Sequence, residues 1–315
     1  MAAGWIQTVK GRVRTGELGL ILPHEHLFTY LRGPTVPGYA QANPDQVAEV
    51  MKPFLEEAYA AGVTALVECS TLGVGRNVAV FQRLADVSPV HIVAPTGVYR
   101  QAFIPPPLLN LNAEELAQGW IRDLTQGMEG TGTRAGFIKI AMSDDGPTDL
   151  EIRNLKAAAA TSQATGAVIA SHTVHGDIAR REMDILEAEG LDLHRFIWVH
   201  ANAETDTVYH LEAARRGAYA EFDAIGQKAA SQDELVGYTL SLVKAGYVEN
   251  ILLSHDAGWY DPSQPDGQPP GDGVRGFTAL IKDFIPALRA HGLTDELIRQ
   301  ITIINPARAY SMNPV

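Results

Sequence analysis

Eight alternations of a short apolar run with a stretch of helical spacing, spread over 315 residues, predict an α/β fold: a closed (β/α)8 TIM barrel behind a short N-terminal β-hairpin. The runs support this, because segments such as Val63-Thr64-Ala65-Leu66-Val67-Glu68 are almost wholly apolar, the pattern of parallel strands buried on both faces. Histidine, lysine and aspartate also recur where the runs end, and such a barrel builds its site from the C-terminal ends of its strands. No G-x-G-x-x-G follows the first run, which argues against a doubly wound open sheet. No internal repeat or low-complexity linker divides the chain, so residues 1–315 are expected to form one domain.

Taken in order, Gly11 and the Thr15-Gly16 pair are the turn signals of the hairpin. The barrel strands are expected at residues 18–24, 63–68, 90–95, 136–141, 167–171, 195–199, 217–222 and 250–254. Helices are expected at 45–61, where Pro53 interrupts the pattern and Gly62 stops it, then at 76–85, 113–128, 149–164, 177–189, 205–216 and 231–245. Two more close the chain, at 274–291 and at 294–301 with Thr294 as N-cap.

Composition narrows the function. The chain is 46% apolar and 20% charged, ordinary for a globular protein, and no apolar run approaches the roughly 20 residues of a membrane span. With 25 Lys+Arg against 37 Asp+Glu the net charge is −12, and no dense basic cluster relieves it, which excludes nucleic acid and anionic membrane surfaces as expected partners. The opening 14 residues lack the apolar core of a secretory signal, so a cytoplasmic location is the expectation. Cys69 is the single cysteine; thiolate clusters are ruled out, and any metal must be held by nitrogen and oxygen.

Those ligands lie at the strand ends. In Pro23-His24-Glu25-His26 an extended backbone sends both imidazoles to one face and Glu25 to the other. Lys139 is near the end of the fourth run, His172 closes the fifth, His200 the sixth and Asp256 the eighth. Six metal-compatible groups thus converge on one rim. Lys139 is the least comfortable as a structural residue, because a buried unpaired ammonium is costly. As a neutral amine it could combine with carbon dioxide into an anionic carbamate able to bridge two cations, or act as a Schiff-base lysine. The remaining histidines read differently. His91 and His194 begin strands, His210 and His291 are expected to face solvent from helices, and His255 to point into the strand–helix layer. His175 is expected to stabilise its loop, and Cys69 to be a small core residue.

The set His24-x-His26, Lys139, His172, His200 and Asp256, in that order, resembles the phosphotriesterase family of the amidohydrolase superfamily. So do Ile6-Gln7-Thr8-Val9 with Leu18-Gly19, Ala218-Tyr219-Ala220-Glu221-Phe222-Asp223, Ser254-His255-Asp256-Ala257-Gly258 and Asn305-Pro306-Ala307-Arg308. The resemblance implies two divalent cations, zinc or else manganese, cobalt or iron. It puts His24, His26 and Asp256 on the more buried cation, His172 and His200 on the other, and carboxylated Lys139 between them. It implies attack on a carbonyl or phosphoryl centre by a shared hydroxide, with Asp256 taking the proton, and a homodimer. Tyr99 matches a tyrosine of the lactone-hydrolysing members.

Phe28, Tyr30, Arg32 and Tyr39 after the first strand, and Trp259 and Tyr260 in the loop 257–273, are expected to wall an apolar entrance. The expected function is therefore hydrolysis of a lactone or other carboxylic ester, with organophosphate triester hydrolysis as a side activity. Arg32, Arg100, Lys228 and Arg275 lie in loops where they would bind a phosphorylated sugar lactone or else stand as solvated surface charges. The alternatives are a phosphotriesterase or amidase on the same centre, a Schiff-base lysine aldolase, and a binding barrel without turnover.

Overall fold

The computed structural model describes residues 4–268 and 276–312, apart from the side chain of Trp259. Strands β1 (Trp5–Thr8) and β2 (Gly11–Arg14) form the antiparallel hairpin, with Gly11 at φ +119° after the turn. Thr15 and Gly16 are not its turn but open a short 3-10 segment beyond it. The Val9 N–H donates to the Ile92 carbonyl at 2.8 Å, so the hairpin sits against the start of the third barrel strand.

The barrel strands are β3 (Leu20–Phe28), β4 (Val63–Glu68), β5 (His91–Val93) with β6 (Pro95–Thr96), β7 (Phe137–Ala141), β8 (Ile169–His172), β9 (Phe196–Val199), β10 (Tyr219–Phe222) and β11 (Ile251–Leu253). Each pairs parallel with the next in chain order. The third barrel strand is split at Ala94: β5 pairs with β4, and β6 with β7. Pro95, which has no N–H to give a ladder, stands at the break. The ring closes between β11 and β3 through local contacts: the His24 N–H donates to Ser254 Oγ at 3.0 Å and the Asp256 N–H to the His24 carbonyl at 3.2 Å. An additional strand, β12 (Gly258–Tyr260), then runs parallel to the end of β3. That partner explains why β3 continues to Phe28, beyond the expected end at residue 24.

Helices α1 (Pro44–Ala60), α2 (Val78–Val87), α3 (Ala113–Thr125), α4 (Asp149–Thr165), α5 (Gly176–Ala188), α6 (Thr207–Arg215) and α7 (Gln232–Lys244) follow the strands. Pro53 does not end α1. Helix α2 starts later than its pattern suggests because the Asn77 side chain caps it, accepting from the Val80 N–H, while Arg76 is buried against Asp123 and Glu129. The C-terminal region is α8 (Ile285–Ala290), α9 (Asp295–Arg299) and α10 (Asn305–Ala309), with π turns at Leu280–Phe284 and Gln300–Ile304. Each π turn immediately precedes a helix whose second residue is proline, Pro286 or Pro306, where the missing N–H removes an α-helical bond. Among the described residues no helix is long and apolar enough to cross a membrane.

Two apolar clusters share alternate residues of the strands. One, which includes Ile21, Ala65, Val67, Val93, Phe137, Ala170, Ile197, Val199, Tyr219 and Leu252, fills the barrel and is joined by Ile6 and Tyr310. The other, with Leu22, Leu66, Ile92, Ile138, Ile140, Trp198, Phe222 and Leu253, lies between strands and helices. This parity fixes which side chains can reach the site.

Candidate metal centre

On β7, Phe137 belongs to the inner cluster and Ile138 and Ile140 to the outer one, so Lys139 faces inward. On β8 the same counting sends Ala170 and His172 inward, and on β4 it sends Cys69 inward. The other ligand candidates need help from the backbone. Ile21 is an inner residue, so strict alternation would turn His24 outward; a register irregularity between Leu22 and Glu25 resets the count and brings His24 and His26 into the barrel. His200 follows the inner residue Val199 and would point outward, but it adopts a left-handed backbone at φ +62°. Asp256 is also left-handed, at φ +51°. Non-glycine residues at positive φ are sparsely populated and are held by their surroundings.

The side chains so aimed line one cavity of about 130 Å³, open to solvent: His24, His26, Lys139, His172, His200 and Asp256, together with Tyr99, Thr29, Leu31, Cys69 and Val74. Ligand atoms of His24, His200 and Asp256 lie within 4.8 Å of one another. Asp256 Oδ1 is 3.0 Å from His26 Nε2 and 3.4 Å from His24 Nε2. The His172 and His200 rings stand edge to face with centroids 4.4 Å apart. Tyr99 Oη is 3.1 Å from His172 Nδ1. The structure thus brings together every residue that the sequence singles out as a ligand or catalytic group.

Behind the rings lies a layer of carboxylates. His24 Nδ1 is 2.9 Å from Glu221 Oε1 and 3.1 Å from Asp223 Oδ2, and His200 Nδ1 is 2.9 Å from Asp223 Oδ1. Asp223 also accepts the His200 N–H at 3.0 Å, which braces the left-handed turn. His26 Nδ1 is 2.7 Å from Ser70 Oγ. Ring nitrogens tied to carboxylates or hydroxyls orient the opposite nitrogen toward a cation. Glu25, pointing away as alternation predicts, accepts from Ser254 Oγ and from the N–H groups of His255 and Ala257, gripping the residues on both sides of Asp256. Its neighbour His255 lies in the strand–helix layer, where Nε2 accepts the Leu280 N–H at 2.9 Å.

Electrostatics suit a cation. Burial, followed by the charge of Lys139, pushes His24 down to about 3, and burial with His200 holds His172 well below its ordinary value. Both therefore present free lone pairs at neutral pH. Burial opposes ionisation of Asp223, but His200 and His24 hold it well below the usual carboxylate range, while burial and Asp223 drive Glu221 well above it. Lys139 Nζ is buried and has no hydrogen-bond partner. A buried amine left unsatisfied beside four imidazoles and a carboxylate fits a group that exists only when something further is bound. The nitrogen and oxygen donor set fits divalent transition ions.

Several expectations are corrected. His210 is buried, not facing solvent: Nε2 lies 2.7 Å from the Ala201 carbonyl, just beyond the turn at His200, and the ring packs against Trp198, Phe222 and Tyr238. Phe28 and Tyr30 are buried and do not wall the cavity; Phe28 stacks on Tyr260 with centroids 6.2 Å apart. Tyr39 Oη instead accepts the Gly73 N–H at 2.7 Å and the Gly75 N–H at 3.3 Å, holding the loop after β4. Thr29, Leu31 and Val74 supply the wall. Arg100 pairs with Asp144, Arg32 and Lys228 are exposed, and Arg275, residues 269–273 and the Trp259 side chain lie outside the described residues. His175 is exposed and caps no helix with its side chain. Cys69 is buried as expected, but it also reaches the cavity, and burial raises its thiol well above the ordinary value.

Sequence reasoning passed over Glu221 and Asp223 as site residues. The available signal was a glutamate inside the apolar run Tyr219–Phe222 and an acid two positions later, on the same face.

A sequence profile described as the phosphotriesterase family matches residues 4–310. A phosphotriesterase homology protein of Mycobacterium tuberculosis is 31% identical over 319 residues, covering 97% of each chain. An aryldialkylphosphatase of Saccharolobus solfataricus is 27% identical, covering 96% of this chain and 98% of the relative. A variant of a PTE-like lactonase from Deinococcus radiodurans superimposes with a TM-score of 0.87 at 29% identity, covering 97% of this chain and 99% of that one. A match from the opening hairpin to α10, together with a relative 31% identical over nearly the whole chain, leaves one conclusion: the chain belongs to the phosphotriesterase family.

Proposed function

We propose that this chain, acting as one barrel domain over residues 1–315, is a binuclear metal-dependent hydrolase of lactones or other carboxylic esters. Organophosphate triesters are proposed as side substrates. The observation that carries this reading is Lys139 Nζ, buried without a partner among His24, His26, His172, His200 and Asp256. Two divalent cations, zinc foremost, would be held by His24, His26 and Asp256 and by His172 and His200, with Lys139 carboxylated on Nζ between them. When bound, they would polarise the scissile oxygen and acidify a water molecule.

The chain's own groups do the rest. Asp256 faces the cavity, and the nearby histidines hold its carboxyl below the usual range although burial opposes them. It is therefore ionised at neutral pH and free to take the proton of the attacking water. Asp223 and Glu221 hold His24, and Asp223 holds His200, in one orientation. The Tyr99 hydroxyl, whose pKa burial raises, stays protonated and can donate to a substrate oxygen near His172. Leu31 and Val74 offer an apolar wall to the substrate's chain. A phosphotriesterase as the main activity is the second reading, favoured by the likeness to the aryldialkylphosphatase.

The test is metal content per chain for wild type and Lys139→Ala, purified without chelator, followed by turnover of aliphatic lactones, aryl esters and a dialkyl aryl phosphate. We expect about two equivalents in wild type, a sharp fall in the variant, and lactones as the best substrates. Wild-type protein that takes up no zinc, manganese or cobalt even with bicarbonate would sink the mechanism. Preference for the phosphotriester would select the second reading.

A further inference from the structure

The four rim histidines are not anchored alike. His24, His26 and His200 each have a ring nitrogen near a carboxylate or hydroxyl of the barrel. The His172 ring is hydrogen-bonded to Tyr99, a residue of the loop that lines the cavity. Beyond Tyr99, what fixes His172 acts through the backbone that carries it.

That backbone has an unusual brace. His172 ends β8, and its neighbours Ser171 and Thr173 turn outward, toward α5. There Glu182, fully buried on α5, takes one hydroxyl on each carboxylate oxygen: Ser171 Oγ on Oε1 and Thr173 Oγ1 on Oε2, the latter at 2.5 Å. The two hydroxyls are themselves 3.3 Å apart. Beyond the strand the peptide is held more loosely by the ladder, since the Thr173 N–H reaches the Val199 carbonyl at only 3.3 Å. Trp198 Nε1 steadies the Thr173 carbonyl at 2.7 Å. A side chain that straddles the residues before and after His172 defines the rotation of the segment between them, and with it the direction of the imidazole.

We propose that Glu182 is a positioning residue for His172, and through it for the outer cation position. It touches neither the cavity nor a reacting atom. The two hydroxyls give it a function that burial alone would not explain, because an apolar side chain would fill the same space without orienting Ser171 and Thr173. This inference rests on the hydrolase reading above.

The experiment titrates metal-free protein with Co²⁺, followed by its visible absorption and by calorimetry, for wild type, Glu182→Gln, Glu182→Ala and Thr173→Val, with thermal melting to establish that each is folded. In wild type we expect two equivalents. In Glu182→Ala the first should bind as in wild type and the second about tenfold or more weakly, in line with the effect of removing groups that orient ligands. Thr173→Val, which perturbs the core less and stands in if the alanine variant does not fold, should weaken the same equivalent. Glu182→Gln keeps a bidentate partner for both hydroxyls and should restore near-wild-type binding. Folded variants in which the second equivalent is unchanged, or both weaken together, would overturn the proposal while leaving the hydrolase intact. Fewer than two equivalents in wild type would remove the binuclear reading itself, and this proposal with it.

Discussion

The two sides of the rim are built by different means. On β7 and β8, Lys139 and His172 enter the cavity because strands alternate; their direction follows from counting residues. On β3, β9 and after β11 the same counting fails or is not enough. His24 and His26 depend on a register irregularity, and His200 and Asp256 on left-handed backbone. On that side the carboxylates of Glu25, Glu221 and Asp223 crowd behind the ligands. The difference teaches that where regular structure aims a side chain, the strand sets its direction and support such as Glu182 has only to hold the residues on either side. Where it does not, buried charge and backbone strain must supply the direction, each stabilising the other.

This contrast can be broken in graded steps. The largest effect is expected at Asp256→Asn. Asparagine tolerates the left-handed conformation, so the melting temperature should change little while lactone turnover falls about 10²–10⁴-fold, the worth of a general base. A comparable loss of folding would mean that the carboxylate is structural. Next, Glu25→Gln should cost on the order of 3 kcal/mol in urea unfolding, since it weakens the bonds to the N–H groups of both residues beside Asp256. Lys139→Ala, on the regular side, should leave the unfolding of metal-free protein nearly unchanged or improve it, because it deletes an unsatisfied buried amine. Equal destabilisation by the two would erase the distinction between the sides.

Asp223→Asn should weaken both cation equivalents by about 10–100-fold, because Asp223 contacts His24 and His200 together. Loss of one equivalent alone would show that the two rings are oriented independently. A subtler effect concerns pH. Glu182 is raised from 4.5 to about 8 by burial, and the charge of Glu151 acts in the same direction, while the bonds from Ser171 and Thr173 oppose it. The folded state then binds more protons than the unfolded one. Its contribution to stability is complete below pH 4.5, declines as pH rises, and is gone above about 8. Glu182→Gln should flatten the stability profile over that window relative to wild type; parallel profiles would refute it. The smallest change is expected from Tyr99→Phe, about three- to tenfold in lactone kcat/KM from one lost hydrogen bond, with phosphotriester turnover unaffected.

Much of the fold was legible. The apolar run Val63–Glu68 coincides with β4, and the eight strand–helix units follow the expected order. The errors lie at the edges of elements. The end of β3 depends on β12, a partner some 230 residues away in sequence, and the start of α2 on a cap at Asn77. His210 was misread because periodicity on α6 says little of which face meets the barrel, and the carbonyl it bonds belongs to the turn after β9. The proposed ligands were readable as residue types at strand ends. Their supporting acids were not, because Glu221 and Asp223 acquire meaning only when β10 lies beside the histidines of β3 and β9.

The sequence by itself determined the barrel, the residue types on its rim and their order around it. These follow from hydrophobic periodicity and from side-chain chemistry, both local properties. Only the tertiary structure decided how His24, His26, His200 and Asp256 turn inward, which wall Leu31 and Val74 make, and that Lys139 Nζ stands buried without a partner. Those depend on register, on left-handed residues and on carboxylates brought together from strands distant in the chain. Such features are settled by closure of the ring, where the last strand meets the first.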